Sequence, residues 1–173
     1  MLKDKTKLLV VAVIAFSVTA CSILPNFNDI KQAMPWYRAN QVNKIAVYVA
    51  PDTTLQYAIN IDVLFIYNTL TRTVISGLTA EQWFQQKNGL KASYGQHIKT
   101  LEWQMVSGYG DDSKPLPSNH KRAIAVIAFA LSPKNPNAKI EITEFSTPWL
   151  VFDKQQLTVK LTPPNSAAQG KGK

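Results

Sequence analysis

The chain has 173 residues, with 19 Lys and Arg against 11 Asp and Glu, a formal net charge of +8 and a single cysteine. That length suffices for one domain with a proper core, and one cysteine excludes a disulfide within the molecule. The basic excess forms no basic helix and no aromatic-basic stripe, which argues against a nucleic-acid partner and leaves solubility and attraction to an anionic membrane surface as its reading.

Residues 1–21 organise the rest. Lys3, Lys5 and Lys7 form a basic leader, residues 8–16 an apolar run, and Ser17, Val18, Thr19 and Ala20 precede Cys21. A basic region, a short apolar stretch and small residues before a cut are the physical requirements of an export signal. The apolar stretch is shorter than the roughly 20 residues that a spanning helix needs. Val18-Thr19-Ala20-Cys21 resembles the bacterial lipobox, which implies acylation of Cys21 and cleavage before it. Two or three acyl chains, at about 0.8 kcal/mol per buried methylene, hold a protein firmly on a bilayer. The bland alternative is an ordinary signal peptide or a membrane anchor with an incidental cysteine. Ser22 stands where Asp would mark inner-membrane retention, so the expected location is the outer membrane, facing the periplasm.

Residues 21–41 read as the lipidated cysteine and a tether that ends by packing on a domain, with Trp36 and Tyr37 as anchors on the domain or at the lipid interface. The domain is expected over 42–161. Residues 44–50 alternate, with Ile45, Val47 and Val49 on one face. A turn signal follows at Pro51, Asp52, Thr53 and Thr54. Residues 58–67 form the clearest strand, Ile59, Ile61, Val63, Phe65 and Tyr67 on one face. Asn60 and Asp62 on the other predict exposure at its start and burial, with Leu64 and Ile66, towards its end. Residues 70–75 fit a strand or a short helix equally. Thr79 and Gln82 form a capping-box pattern for a helix over 80–87, with Trp83 and Phe84 as packing groups and Asn88-Gly89 as its close.

Further strands are expected at 98–106, 123–131, 139–143, 149–152 and 156–161, the last two as a hairpin around Asp153, Lys154 and Gln155. Small apolar residues on both faces mark 123–131 as central. Residues 162–173 have nothing apolar to bury and read as a disordered tail. About seven short strands with one short inserted helix predict a mainly β fold, a single β-sandwich.

Little in the sequence points to catalysis. His97 and His120 have no metal-ligand spacing, there is no nucleophile elbow, and Asp111-Asp112 lacks the further ligands of a calcium site. Asp62 and Glu102 are the one conceivable acid-base pair; the simpler reading is a solvated face or a salt bridge to Lys or Arg. No catalytic residue, metal or cofactor is therefore expected. Loops at the ends of a rigid sandwich are the natural binding elements: residues 51–57, with Leu55 and Tyr57, and residues 109–119, with Tyr109, Leu116 and the adjacent His120.

The order of Cys21, a first strand, a loop, the strand Ile61-Asp-Val-Leu-Phe-Ile-Tyr67, the helix bearing Glu81-Gln-Trp-Phe84 and the strand at 101–106 resembles the TssJ-type outer-membrane lipoproteins of type VI secretion systems. That resemblance implies a transthyretin-like sandwich. Its loop after the first strand, here Pro51, Asp52, Thr53, Thr54, Leu55, Gln56 and Tyr57, would bind the periplasmic domain of an inner-membrane component of the TssM kind. This loop is shorter than is usual in that family. The alternative functions are a pilotin-like escort or a ligand-binding lipoprotein outside type VI secretion, and, more remotely, a hydrolase using Asp62 and Glu102.

Overall fold

In the computed structural model, residues 38–51 and 57–164 are described. Eight strands form two four-stranded sheets. One holds β1 (Ala46–Val49), β4 (Gly110–Asp111), β7 (Trp149–Asp153) and β8 (Gln156–Lys160), in the order β4-β1-β7-β8. The other holds β2 (Ile59–Ile66), β3 (Ile98–Met105), β5 (Ala125–Ala130) and β6 (Lys139–Glu141), in the order β3-β2-β5-β6. All pairings are antiparallel except β1 with β7, which run parallel from Ala46↔Trp149 to Val49↔Phe152. The mainly β sandwich expected from the sequence is the observed fold.

The alternation of β2 sorts its side chains into two cores. Ile59, Ile61, Val63 and Phe65 point between the sheets, where they meet Val47, Val49, Val126, Ala128, Leu150 and Phe152. Leu64 and Ile66 point the other way, into a second cluster with Ala125, Ile127 and Phe129 of β5. Every residue of β5 is buried, as its two apolar faces require.

That second cluster exists because the inserted segment holds two helices, α1 (Thr69–Gly77) and α2 (Ala80–Tyr94), rather than one short one. The undecided stretch at 70–75 is helical. Asn68 caps α1 by accepting the Thr71 N–H at 3.1 Å, and Ile75 is buried against the sheet. At α2 the capping box is present in both directions: Thr79 N–H donates to Gln82 Oε1 at 2.9 Å and Gln82 N–H to Thr79 Oγ1 at 3.1 Å. The helix does not close at Asn88-Gly89. A mid-helix glycine costs about 1 kcal/mol relative to alanine, and the helix continues past it with Leu90 and Tyr94 packed, partly buried, against the second cluster.

The helices also overturn the expected exposure of Asp62. Its side chain is buried, 1% exposed, because Trp83 of α2 lies across it and stacks on Phe129 with ring centroids 5.8 Å apart. Period-two reasoning sees an aspartate on a strand face; it does not see the helix that lands there.

Residues 38–41, read as the end of the tether, are bonded into the domain. Ala39 N–H donates to Lys121 O, Gln41 N–H to Thr143 O and Asn43 N–H to Ser146 O. At the other end of the chain Pro164 is buried. Residues 165–173 of the expected tail, and the expected signal, Cys21 and most of the tether, lie outside the described residues.

Candidate partner-binding end of the sandwich

The loop expected to bind a partner joins the end of β1 to the start of β2, and so passes from one sheet to the other. Pro51 and Tyr57 stand exposed at its two stems. Asp52, Thr53, Thr54, Leu55 and Gln56 lie outside the described residues.

Three other connections gather at the same end. The turn after β3 is clipped to the exit of β1: Gly108 N–H donates to Val49 O at 2.9 Å, Val49 N–H to Tyr109 O at 3.0 Å, and Ser107 Oγ to Ala50 O at 3.2 Å. Gly108 has φ +83°, a conformation in which a side chain is strained. The β7–β8 hairpin, expected around Asp153, Lys154 and Gln155, turns through Lys154 and Gln155 alone, both at positive φ (47° and 65°), while Asp153 is the last residue of β7 and pairs with Gln156. The β5–β6 loop is fastened to that hairpin by Ser132 Oγ donating to Gln155 Oε1 at 2.6 Å and Asn135 Nδ2 to Gln155 O at 3.1 Å. Both sheets are thus tied together at this end.

This fixed rim carries Tyr57, Val106 and Tyr109, which are 46%, 51% and 67% exposed. Tyrosine, with an apolar body and a polar tip, is among the usual anchors of a protein interface, and Val106 adds exposed apolar surface to the same rim. The structure brings Tyr109 to the same end as Pro51 and Tyr57, but not the other two candidates. Leu116 packs on the inter-sheet core. His120 lies towards the other end, its ring edge on Phe65 and its Nδ1 2.8 Å from Pro117 O. Val106 lies on the same outward face as Glu102 and Gln104, opposite the buried Trp103 and Met105; the alternation that exposes it is legible in the sequence, but its place at the rim is not.

The Asp62 and Glu102 carboxylates do come together, as cross-strand partners on β2 and β3, with Lys87 between them. Its Nζ is 3.1 Å from Asp62 and 3.4 Å from Glu102, and Lys91 reaches Glu102 at 2.6 Å. Burial pushes the Asp62 carboxyl up, against the partial counter-effect of Trp83 and Lys87. The Lys91 hydrogen bond, above all, holds Glu102 down. Lysine salt bridges, the simpler reading, describe what is found: both carboxylates are engaged by α2, which they hold to the sheet. Asp111 is likewise engaged, accepting Trp103 Nε1 at 2.8 Å and Ser113 Oγ at 2.6 Å. Among the described residues there is no group of three or more His, Cys, Asp or Glu placed to hold a metal, and no helix is long and apolar enough to cross a membrane.

No family model matches the chain, and no curated protein does. Solved structures do. The type VI secretion lipoprotein TssJ1 from Pseudomonas aeruginosa aligns with a TM-score of 0.50 over 71% of this chain and 96% of its own, at 12% identity. The fold is shared with TssJ1. Lip from Serratia marcescens, a membrane-bound component of the type VI secretion system, aligns with a TM-score of 0.46 over 70% of this chain and 96% of its own, at 11% identity. At such identities the likeness concerns the fold, and function rests on this chain's own residues.

Proposed function

We propose that the protein is a lipid-anchored periplasmic scaffold of a type VI secretion membrane complex, held in the outer membrane through acylated Cys21 and docking an inner-membrane component through residues 51–57. The observation that carries this reading is the polarity of β1. The chain enters the domain at Arg38, passes the start of β1 at Ala46, and reaches the candidate loop only after its end at Val49. Arg38, to which the chain from Cys21 is joined, and the rim of Tyr57, Val106 and Tyr109 therefore belong to opposite ends of the sandwich. A domain tethered at one end presents the other to a partner across the periplasm. The fold shared with TssJ1 supports the same reading, as does the lipobox-like Val18-Thr19-Ala20-Cys21.

The test is fractionation of the Cys21→Ser variant, followed by affinity purification from solubilised envelopes. Loss of outer-membrane partitioning, together with loss of a co-purifying inner-membrane protein, is the expected result. Unchanged partitioning would overturn the anchor, and recovery of an outer-membrane β-barrel alone would favour an escort.

A further inference from the structure

The end of the domain opposite the rim holds an open groove of about 370 Å³, lined in part by Arg38, Gln41, Asn43, Lys121, Glu144 and Ser146. This volume is within the range of small-ligand sites. Its frame is fixed by the backbone bonds of Ala39, Gln41 and Asn43 to Lys121, Thr143 and Ser146, and by Asn43 Nδ2 donating to Ser146 Oγ at 2.7 Å.

The charges in this groove are left uncompensated in a particular pattern. Among the described residues, neither Arg38 nor Lys121 has a carboxylate partner, and Glu144 has no cationic one. Lys121 Nζ donates to Gln41 O at 3.0 Å, and Glu144 receives only the Gln41 amide at 3.4 Å. Burial and the neighbouring Arg38 charge depress the Lys121 ammonium, as expected of like charges held together without an anion. Gln41 thus separates two cations from one carboxylate, all three facing the same open space. A ligand that neutralises both sides must carry a negative and a positive group of its own.

We infer that this groove binds a phosphate ester bearing a primary ammonium, the phosphoethanolamine headgroup of a bilayer lipid, with phosphate on Arg38 and Lys121 and ammonium on Glu144. Arginine suits the phosphate through its planar fork of donors. A primary ammonium can donate a hydrogen bond to Glu144, whereas the quaternary ammonium of phosphocholine cannot. The bilayer is the source because the groove begins at Arg38, where the segment from Cys21 enters. About 17 residues separate the two, a reach of at most about 60 Å fully extended, so an acylated chain keeps the groove at high effective headgroup concentration. To that extent the inference rests on the anchored reading above.

The test uses the full acylated protein in nanodiscs of phosphatidylethanolamine or phosphatidylcholine, with the anionic lipid content held constant, and reads amide hydrogen exchange over residues 38–44 and 144–147. The expected result is exchange slower by about fivefold or more in phosphatidylethanolamine, as for a site with headgroup in excess of its Kd. Arg38→Gln and Glu144→Gln should each abolish that difference, while exchange in β2 and β5 stays unchanged. Equal exchange with the two headgroups would overturn the inference. So would a difference that survives Glu144→Gln, which would mark plain attraction of cations to the bilayer. If the chain proves not to be acylated, the anchor reading fails separately, and the same comparison with vesicles in excess decides the groove by the same two outcomes.

Discussion

The indole Nε1 of Trp83 donates to Asp62 Oδ2 at 2.9 Å, with both side chains withdrawn from water. This bond joins α2 to the centre of the outer face of β2, and Lys87 adds a second, charged link to the same oxygen. Trp83→Phe keeps an aromatic ring against Phe129 but removes the donor. Leaving a buried carboxylate short of one partner costs about 1–3 kcal/mol, measured as a lowered urea midpoint at unchanged slope. A shift corresponding to under about 0.5 kcal/mol, the usual range of surface substitutions, would contradict this role for the indole.

Asp62 and Glu102 predict opposite dependences on pH. Burial raises the folded-state Asp62 pKa above its ordinary 3.8, so the folded protein holds that proton more tightly than the unfolded chain. The stability this group contributes is fully present below 3.8 and is lost as pH rises through the raised value. Glu102 is lowered from its ordinary 4.5, chiefly by Lys91. Its contribution is present above 4.5 and is lost as pH falls through the lowered value. Urea unfolding across a pH series therefore separates them. Asp62→Asn should gain on the wild type as pH rises above 3.8, and Glu102→Gln should lose less than the wild type on acidification below 4.5. Parallel profiles for the three proteins would refute the assignment.

Asn40 fastens the incoming chain to the domain with three hydrogen bonds. Its Nδ2 donates to His120 O at 2.6 Å and Ala123 O at 2.9 Å, and its Oδ1 accepts Val42 N–H at 3.1 Å. The side chain is 95% withdrawn from solvent, at 5% exposure. Asn40→Ala strands buried backbone groups and should destabilise the fold by about 2–3 kcal/mol. Asn40→Asp keeps the Val42 acceptor but sets a charge against two carbonyls, so it should be the worse variant. Thermal unfolding ranks the two, and the reverse order would show that packing, not hydrogen bonding, is what Asn40 supplies.

Strand alternation made most of the sandwich legible. Ile59, Ile61, Val63 and Phe65 were legible as one face, and β5 as central, because period-two burial is written locally. The capping box of Thr79 and Gln82 was equally local and marked the start of α2. Its end was not, since continuation through Gly89 depends on Leu90 and Tyr94 finding a sheet far away in sequence. The burial of Asp62 is non-local for the same reason: it comes from Trp83, 21 positions along the chain. The two-residue strand β4 is set by a clip to β1 and has no periodicity to read. Of the candidate site, Tyr57 and Tyr109 were visible as loop aromatics, but their meeting at one rim required the Gly108–Val49 bond. The groove had no signature at all, because Arg38, Lys121 and Glu144 come from three separate segments.

The central claim is that the two ends of the sandwich face different partners. Photo-crosslinking residues at Tyr57 and Tyr109, with Ser146 at the opposite end as control, test it directly in cells carrying intact Cys21. The account predicts capture of an inner-membrane protein with a large periplasmic domain from positions 57 and 109 and not from 146. Absence of such a protein at 57 and 109, or equal capture from 146, would contradict it.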